Sequence, residues 1–168
     1  MNRSENPDIE LRAIGDADAA FLFGVYASTR AEELAQTGWT DVQKDAFLRM
    51  QFDAQRKDYG ANYDASRFHI VVCDGIDAGR FYVERAGGEL RIIDIALLPP
   101  FRNRGIGTAL LQRLFDEADA AALDVRIHVE FNNPAQRLYS RLGFQFAGDG
   151  DSIYRLMVRR PLLRRSVA

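Results

Sequence analysis

The segment Arg102-Asn103-Arg104-Gly105-Ile106-Gly107 carries the residue types that hold an anion against a polypeptide. Two glycines one residue apart let the backbone turn sharply and approach a ligand closely. The apolar spacing that follows predicts a helix, so free N–H groups and the positive end of its dipole converge on one point. Arg102 and Arg104 add guanidinium donors suited to phosphate, and Thr108 places a hydroxyl in the first helical turn. A pyrophosphate fits this loop. A tight turn without a ligand explains the two glycines equally well. A dinucleotide-binding loop needs a third glycine where Leu110 stands, and a Walker loop needs a Gly-Lys-Ser/Thr that is missing.

Other reactive side chains are few. Asp94 is a carboxylate among isoleucines, and strand alternation points it opposite to Ile93 and Ile95. It reads as a base or as a satisfied structural carboxylate. Glu84 and Glu130 lie near the ends of neighbouring strands. His69 and His128 fall within strand patterns, where packing is the expected role. Cys73 precedes a turn and reads as a small core residue. One cysteine excludes an internal disulfide and a cysteine-based zinc site, and two histidines make a His-rich site a poor expectation. No metal is expected.

These groups need elements to hold them. Ile9 to Ile14 alternates as a half-buried strand, and Asp16 or Asp18 is placed to cap a helix running to about Leu34. Thr40 or Asp41 caps a second helix to about Tyr59, and Gly60 to Ser66 reads as loop. Phe68–Cys73, a hairpin turn at Asp74-Gly75, and Ile76–Glu84 form two strands. Glu89–Leu97 is a third, ended by Pro99-Pro100. Gly105–Ala122 has a helical apolar face, and Val125–Val129 is a strand. Asn133-Pro134 starts a short helix that Gly143 ends. Phe144–Ala147 and Ile153–Val158 make a last hairpin around Asp149-Gly150. The order β-α-α-β-β-β-α-β-α-β-β predicts a mixed α/β (α+β) sheet in one domain, 1–168, with a core at about 9–160.

The second informative segment runs from Asn132 to Phe144. With the first, it resembles the GNAT superfamily of acyl-CoA-dependent N-acetyltransferases. Arg102, Gly105 and Gly107 match the motif Arg/Gln-x-x-Gly-x-Gly/Ala. Asn132, Ala135, Leu138, Tyr139, Gly143 and Phe144 match Asn-x-x-Ala-x-x-Leu-Tyr-x-x-x-Gly-Phe. The resemblance implies a GNAT-like, mostly antiparallel sheet splayed between its fourth and fifth strands, with acetyl-CoA as cosubstrate. It implies pyrophosphate contacts from Arg102 to Thr108, with pantetheine paired to the backbone of Ile95 and Leu97. It implies contacts at Ala135 and at Asn132 or Asn133; Asn132 has the family spacing, whereas Asn133 is better placed as a helix cap. Tyr139 takes the family position of the general acid, a phenol that is protonated at neutral pH. Asp94 is then a candidate base, directly or through water, with Glu84, Glu130 or no dedicated base as alternatives.

The chain has 168 residues, enough for one well-filled core, with a hydrophobic fraction of 47% and a net charge of −2. That charge gives no field for nucleic acid, and no apolar run suits a membrane. The start MNRSENPDIE has no signal-peptide core, so a cytoplasmic location is expected. The basic tail Arg159, Arg160, Arg164 and Arg165 reads as solvated. On the second helix Phe47, Leu48, Met50 and Phe52 cannot share one face, so the excess lines the core, an acceptor pocket or a homodimer interface. Trp39, Tyr59 and Tyr63 are placed to wall such a pocket, and Asp41, Asp53, Asp58 and Asp64 to attract a cationic amine. Three functions follow: an N-acetyltransferase on a small-molecule amine or amino acid, a protein N-terminal or lysine acetyltransferase, and a silent acetyl-CoA-binding module. An enclosed aromatic pocket favours the first, an open groove the second.

Overall fold

The β-branched run Phe68–Cys73 leaves little choice but an extended chain, and Asp74-Gly75 turns it back on itself. In the computed structural model, which describes residues 6–148 and 153–163, it is strand β2. The elements follow in the expected order. They are β1 (Ile9–Ala13), α1 (Ala19–Ala35), α2 (Asp41–Asn62), β2, β3 (Ile76–Ala86), β4 (Glu89–Leu97), α3 (Ile106–Ala121), β5 (Asp124–Glu130), α4 (Gln136–Arg141), β6 (Gln145–Ala147) and β7 (Tyr154–Arg159). The seven strands lie in the order β1-β2-β3-β4-β5-β7-β6. β1 with β2, β2 with β3, β5 with β7, and β6 with β7 are antiparallel. β4 and β5 are parallel, and their pairing runs only from Glu89 with Asp124 to Ile92 with Ile127. Beyond Ile92, β4 leaves that ladder, where a splay was expected between the fourth and fifth strands.

Two compact units make up the chain. The first lies within Met1–Tyr82 and Asp94–Gly107. Its core includes Val25, Ile70, Val71 and Cys73, all buried, and Phe52 of α2 meets Phe23 and Tyr26 of α1 at 5.5 and 5.8 Å between ring centroids. Thr40 caps α2 reciprocally: its Oγ1 accepts from Gln43 N (3.3 Å) and Gln43 Oε1 accepts from Thr40 N (2.9 Å). Asp18 holds the N-cap position of α1, but its side chain makes no capping bond there. A 3-10 turn, Asp16–Asp18, precedes it, and Asp18 accepts from Gly15 N and pairs with Arg12. Arg12 also pairs with Asp77, and hydrogen bonding to Arg12 lowers the Asp18 carboxyl to about 2. The expected loop from Gly60 to Ser66 is shorter than predicted. α2 continues through Asn62, and Asp64 caps a 3-10 turn at Ala65–Arg67 by accepting from Ser66 N.

The second unit lies within Val83–Ile93 and Thr108–Ala168. α3 buries Leu110, Leu114 and Ala118 of the apolar face read from the sequence, and also Leu111 and Phe115, whereas Ala121 of that face is exposed. Phe115 packs on Phe144 at 5.7 Å, and burying such a ring contributes ~2–3 kcal/mol. Arg159 is not part of a solvated tail. It is buried, lies over the Phe115 ring at 4.3 Å and forms a two-pronged pair with Asp119 at 2.8 and 3.0 Å. Asp119 also accepts from Leu162 N, and its carboxyl is held below the usual range, first by the hydrogen bond from Arg159. Arg160 is exposed; Arg164, Arg165 and the Asp149-Gly150 turn lie outside the described residues.

Candidate active site

Pro99 and Pro100 end β4 in a 3-10 turn, with Phe101 N donating to Leu98 O at 2.9 Å. The chain then bends twice through left-handed backbone, at Asn103 (φ 57°) and Gly105 (φ 78°), before α3 begins at Ile106. Ile106 is buried and pins the loop, while residues from Arg102 to Gly105 are exposed. Among the described residues, no backbone N–H from Asn103 to Gly107 donates to a turn, loop or cap acceptor. Nothing lies within 4 Å of where a side chain on Gly105 or Gly107 would begin. Open space and unspent donors therefore face one another at a helix start.

The two arginines of the loop differ. Arg102 Nε donates to Leu97 O at 2.8 Å, and its second nitrogen reaches Ser28 O and Oγ at 3.3 and 3.2 Å. It ties the loop to the end of β4 and to α1. Arg104 is half exposed, 3.9 Å from Asp74, with its guanidinium over the Phe101 ring at 5.8 Å. Thr108 is exposed in the first turn of α3.

Ile95 and Leu97 occupy the end of β4, beyond the ladder with β5. Leu98 N donates to Ala78 O of β3 at 2.8 Å, which draws the two strands together there. A side chain on Gly79 would collide with the Ala96 carbonyl oxygen and come within 2.9 Å of Leu97 Cα. Only glycine allows that approach.

Asp94 sits in a polar knot that sequence reading did not foresee. Its Oδ2 accepts from Arg80 at 2.6 Å and from the Tyr59 hydroxyl at 3.2 Å. Arg80 is 3% exposed and also donates to Gln55 Oε1 at 3.1 Å, yet its Nε finds no acceptor. An unmatched buried donor costs about 1–3 kcal/mol. Burial, and then the charge of Asp94, push the Tyr59 phenol upward, so it donates as a neutral group. Arg80 lies in a stretch of β3 that is buried on both faces, from Ala78 to Val83, so strand alternation did not single it out. Beside this knot is a cavity of about 250 Å³, walled by Leu22, Phe52, Tyr59, Phe68 and Tyr82 and reached by Arg80 and Arg56. Trp39, Tyr63 and the predicted aspartates do not line it; Trp39 packs on Phe47 at 5.2 Å, and the aspartates are exposed on and beyond α2.

Tyr139 is buried on α4, in the second unit. The helix closes with the two bonds of a Schellman turn: Phe144 N donates to Tyr139 O at 3.1 Å, and Gly143 N to Ser140 O at 3.2 Å. Gly143 takes φ 96°, and the Phe144 ring meets Tyr139 edge-on at 5.6 Å. The spacing Tyr-x-x-x-Gly-Phe is that turn written in sequence. At the other end Asn133 Oδ1 accepts from Ala135 N at 2.9 Å. α4 itself begins at Gln136, later than its Asn-Pro start suggested, because Pro134 and Ala135 form a preceding turn. Asn133 is thereby spent on the backbone, and Asn132 is exposed beside it. Glu130 is exposed, 3.5 Å from the Tyr154 hydroxyl, and Glu84 is half-buried. His128 is exposed on β5 rather than packed, with protonation disfavoured by desolvation and then by Arg91 and Arg126. His69 is half-buried; Cys73 is buried with its thiol pushed up by burial.

The description "Acetyltransferase (GNAT) family" matches residues 29–144, which take in both the loop and the α4 segment. The chain belongs to the GNAT acetyltransferase family. A mycothiol acetyltransferase of Nocardiopsis dassonvillei is 37% identical over 76 residues, 45% of this GNAT chain and 22% of that protein. An N-alpha-acetyltransferase of Sulfurisphaera tokodaii is 36% identical over 76 residues, 38% of this chain and 44% of the relative. The chain thus spans less than half the length of these relatives. The PaiA N-acetyltransferase of Thermoplasma acidophilum, solved with coenzyme A, matches over 91% of this chain and 99% of its own. Its TM-score is 0.66 at 17% identity, a likeness of fold. Among the described residues no group of His, Cys, Asp or Glu is arranged to hold a metal ion, and no helix is long and apolar enough to cross a membrane.

Proposed function

We propose that this chain is an N-acetyltransferase that uses acetyl-CoA and moves the acetyl group directly to an amine of a small molecule or amino acid. The observation that carries the reading is the Asn103–Gly107 loop, with its unspent N–H donors and open space, in a chain of the GNAT family. The loop suits the pyrophosphate, with Arg104 as the freer cation and Arg102 as the strut that fixes the loop. Thr108 adds a hydroxyl contact. Backbone groups of Ile95 and Leu97 pair with the pantetheine amides, though the Leu97 carbonyl is already held by Arg102. Asn132 and Ala135 are the contacts assigned to the α4 segment, and Asn133 keeps its capping role.

When bound, the thioester supplies an activated acetyl group. The protein's part is to place the amine, hold donors toward the carbonyl oxygen and deliver protons. Tyr139 is assigned as the acid that protonates the departing sulfur. Asp94 Oδ2 is occupied by Arg80 and Tyr59, which leaves Oδ1 to take the amine proton directly or through water. The aromatic cavity beside Arg80 favours a small acceptor over a protein segment. We take the whole chain, 1–168, to work as one acetyltransferase domain in the cytoplasm. The test is thiol release from acetyl-CoA against a panel of amines, amino acids and peptides. Acceptor-dependent release with small amines supports the reading; release only with peptides or proteins moves it to protein acetylation.

A further inference from the structure

The cavity between α2 and the sheet combines features that a purely structural void does not need. Its walls are aromatic and aliphatic, yet two guanidiniums reach it and no acidic side chain lines it. Arg80 is buried, and its pairing with Gln55 and Asp94 leaves Nε without an acceptor. Arg56 is exposed at the rim, with its guanidinium over the Phe52 ring at 5.6 Å and no ion pair among the described residues. Two cations thus face one carboxylate, Asp94, which stands behind Arg80 rather than in the lining. A ligand bearing only an ammonium group meets net positive charge there and is disfavoured.

We propose that this cavity is the acceptor subsite, and that it takes an amine whose molecule also carries a carboxylate on an apolar or aromatic body, as a free apolar amino acid does. The carboxylate supplies an oxygen acceptor for Arg80 Nε and a counter-ion for Arg56, and planar guanidiniums bind carboxylates well. Phe52, Tyr59, Phe68 and Tyr82 surround the apolar side chain. The Arg80–Asp94 contact links this subsite to β4, the strand assigned above to the thioester arm. The inference rests on the transferase reading for its meaning as an acceptor site, but not for its test.

That test is binding rather than turnover. Calorimetry on the full chain compares L-phenylalanine with L-phenylalaninamide, and L-leucine with L-leucinamide. Loss of the carboxylate is expected to weaken binding by at least about ten-fold in each pair. Arg56→Gln, at an exposed position where the fold is not at stake, narrows each gap several-fold, and Arg56→Lys restores part of it. Equal affinity for acid and amide, or a gap untouched by Arg56→Gln, overturns the proposal. Thiol release measured in parallel keeps the two readings apart. Carboxylate-selective binding without acetyl transfer supports the subsite and removes the transferase. Acetyl transfer without carboxylate preference removes the subsite and keeps the transferase.

Discussion

Asp94 illustrates how much a single residue's partners decide. A carboxylate on β4 suggests a base, but its Oδ2 neutralises a buried guanidinium, so it has a structural task whatever its catalytic one. Replacing Asp94 with Asn leaves the Arg80 charge buried without a counter-ion, a loss of about 3 kcal/mol in such settings. Denaturant melts are expected to show it, and Asp94→Asn together with Arg80→Met should recover most of the stability. Little loss in the single variant would mean that Arg80 finds another anion. Tyr139 makes the complementary case. Tyr139→Phe is expected to lower kcat by about ten-fold or more while acetyl-CoA affinity stays within about two-fold. Unchanged kcat would reduce Tyr139 to packing. Both residues were legible in the sequence, Asp94 by its contrast with its neighbours and Tyr139 by motif. Arg80 and Gln55 were not, because their importance arises from a meeting of β3, β4 and α2 that no local pattern encodes.

At the level of elements, periodicity and turn chemistry were enough to place every helix and strand, within the limits of end effects. Errors gathered where side chains compete with the backbone. Asp18 stands at the N-cap of α1 but spends its side chain on Gly15 and Arg12, and Pro134 sits in a turn before α4 rather than within it. The bare contact between β3 and β4 was also silent in the sequence, since a lone glycine in a strand does not say what approaches it. Gly79→Ala pushes Ala96 and Leu97 away and is expected to weaken acetyl-CoA binding while secondary structure by circular dichroism is kept. Wild-type affinity in that variant would separate the end of β4 from the cosubstrate. The Asp119–Arg159 clamp gives a pH test. Its folded-state carboxyl titrates below the ordinary value, so the stabilisation is complete above about pH 4 and fades as pH falls through the lowered folded value. Asp119→Asn should cost ~2 kcal/mol at pH 7 and flatten that acid limb of the stability profile. An unchanged limb would assign acid sensitivity elsewhere, for example to the Arg12–Asp18 pair, which loses its contribution over the range from about 4 down to about 2.

Across the whole molecule, family membership and strand order agree with the resemblance carried by the two segments. Two short segments carried the resemblance, and each has a constrained backbone shape: left-handed residues at the loop, and a Schellman turn behind Tyr139. The cavity proposed for the acceptor was illegible for the opposite reason. It is built from α1, α2 and the sheet, whose aromatic residues serve the core as readily as a ligand, and only packing revealed which of them border the cavity. The central claim is that the Asn103–Gly107 loop binds acetyl-CoA, and calorimetric titration of wild type against Gly107→Glu tests it most directly. Gly107 is the second residue of α3, with open space before it and no left-handed strain, so the substitution adds bulk and negative charge without disturbing the backbone. Saturable binding in the wild type, lost by about a hundred-fold or more in the folded variant and retained in Gly107→Ala, is the expected result. Equal affinity in wild type and Gly107→Glu contradicts the account.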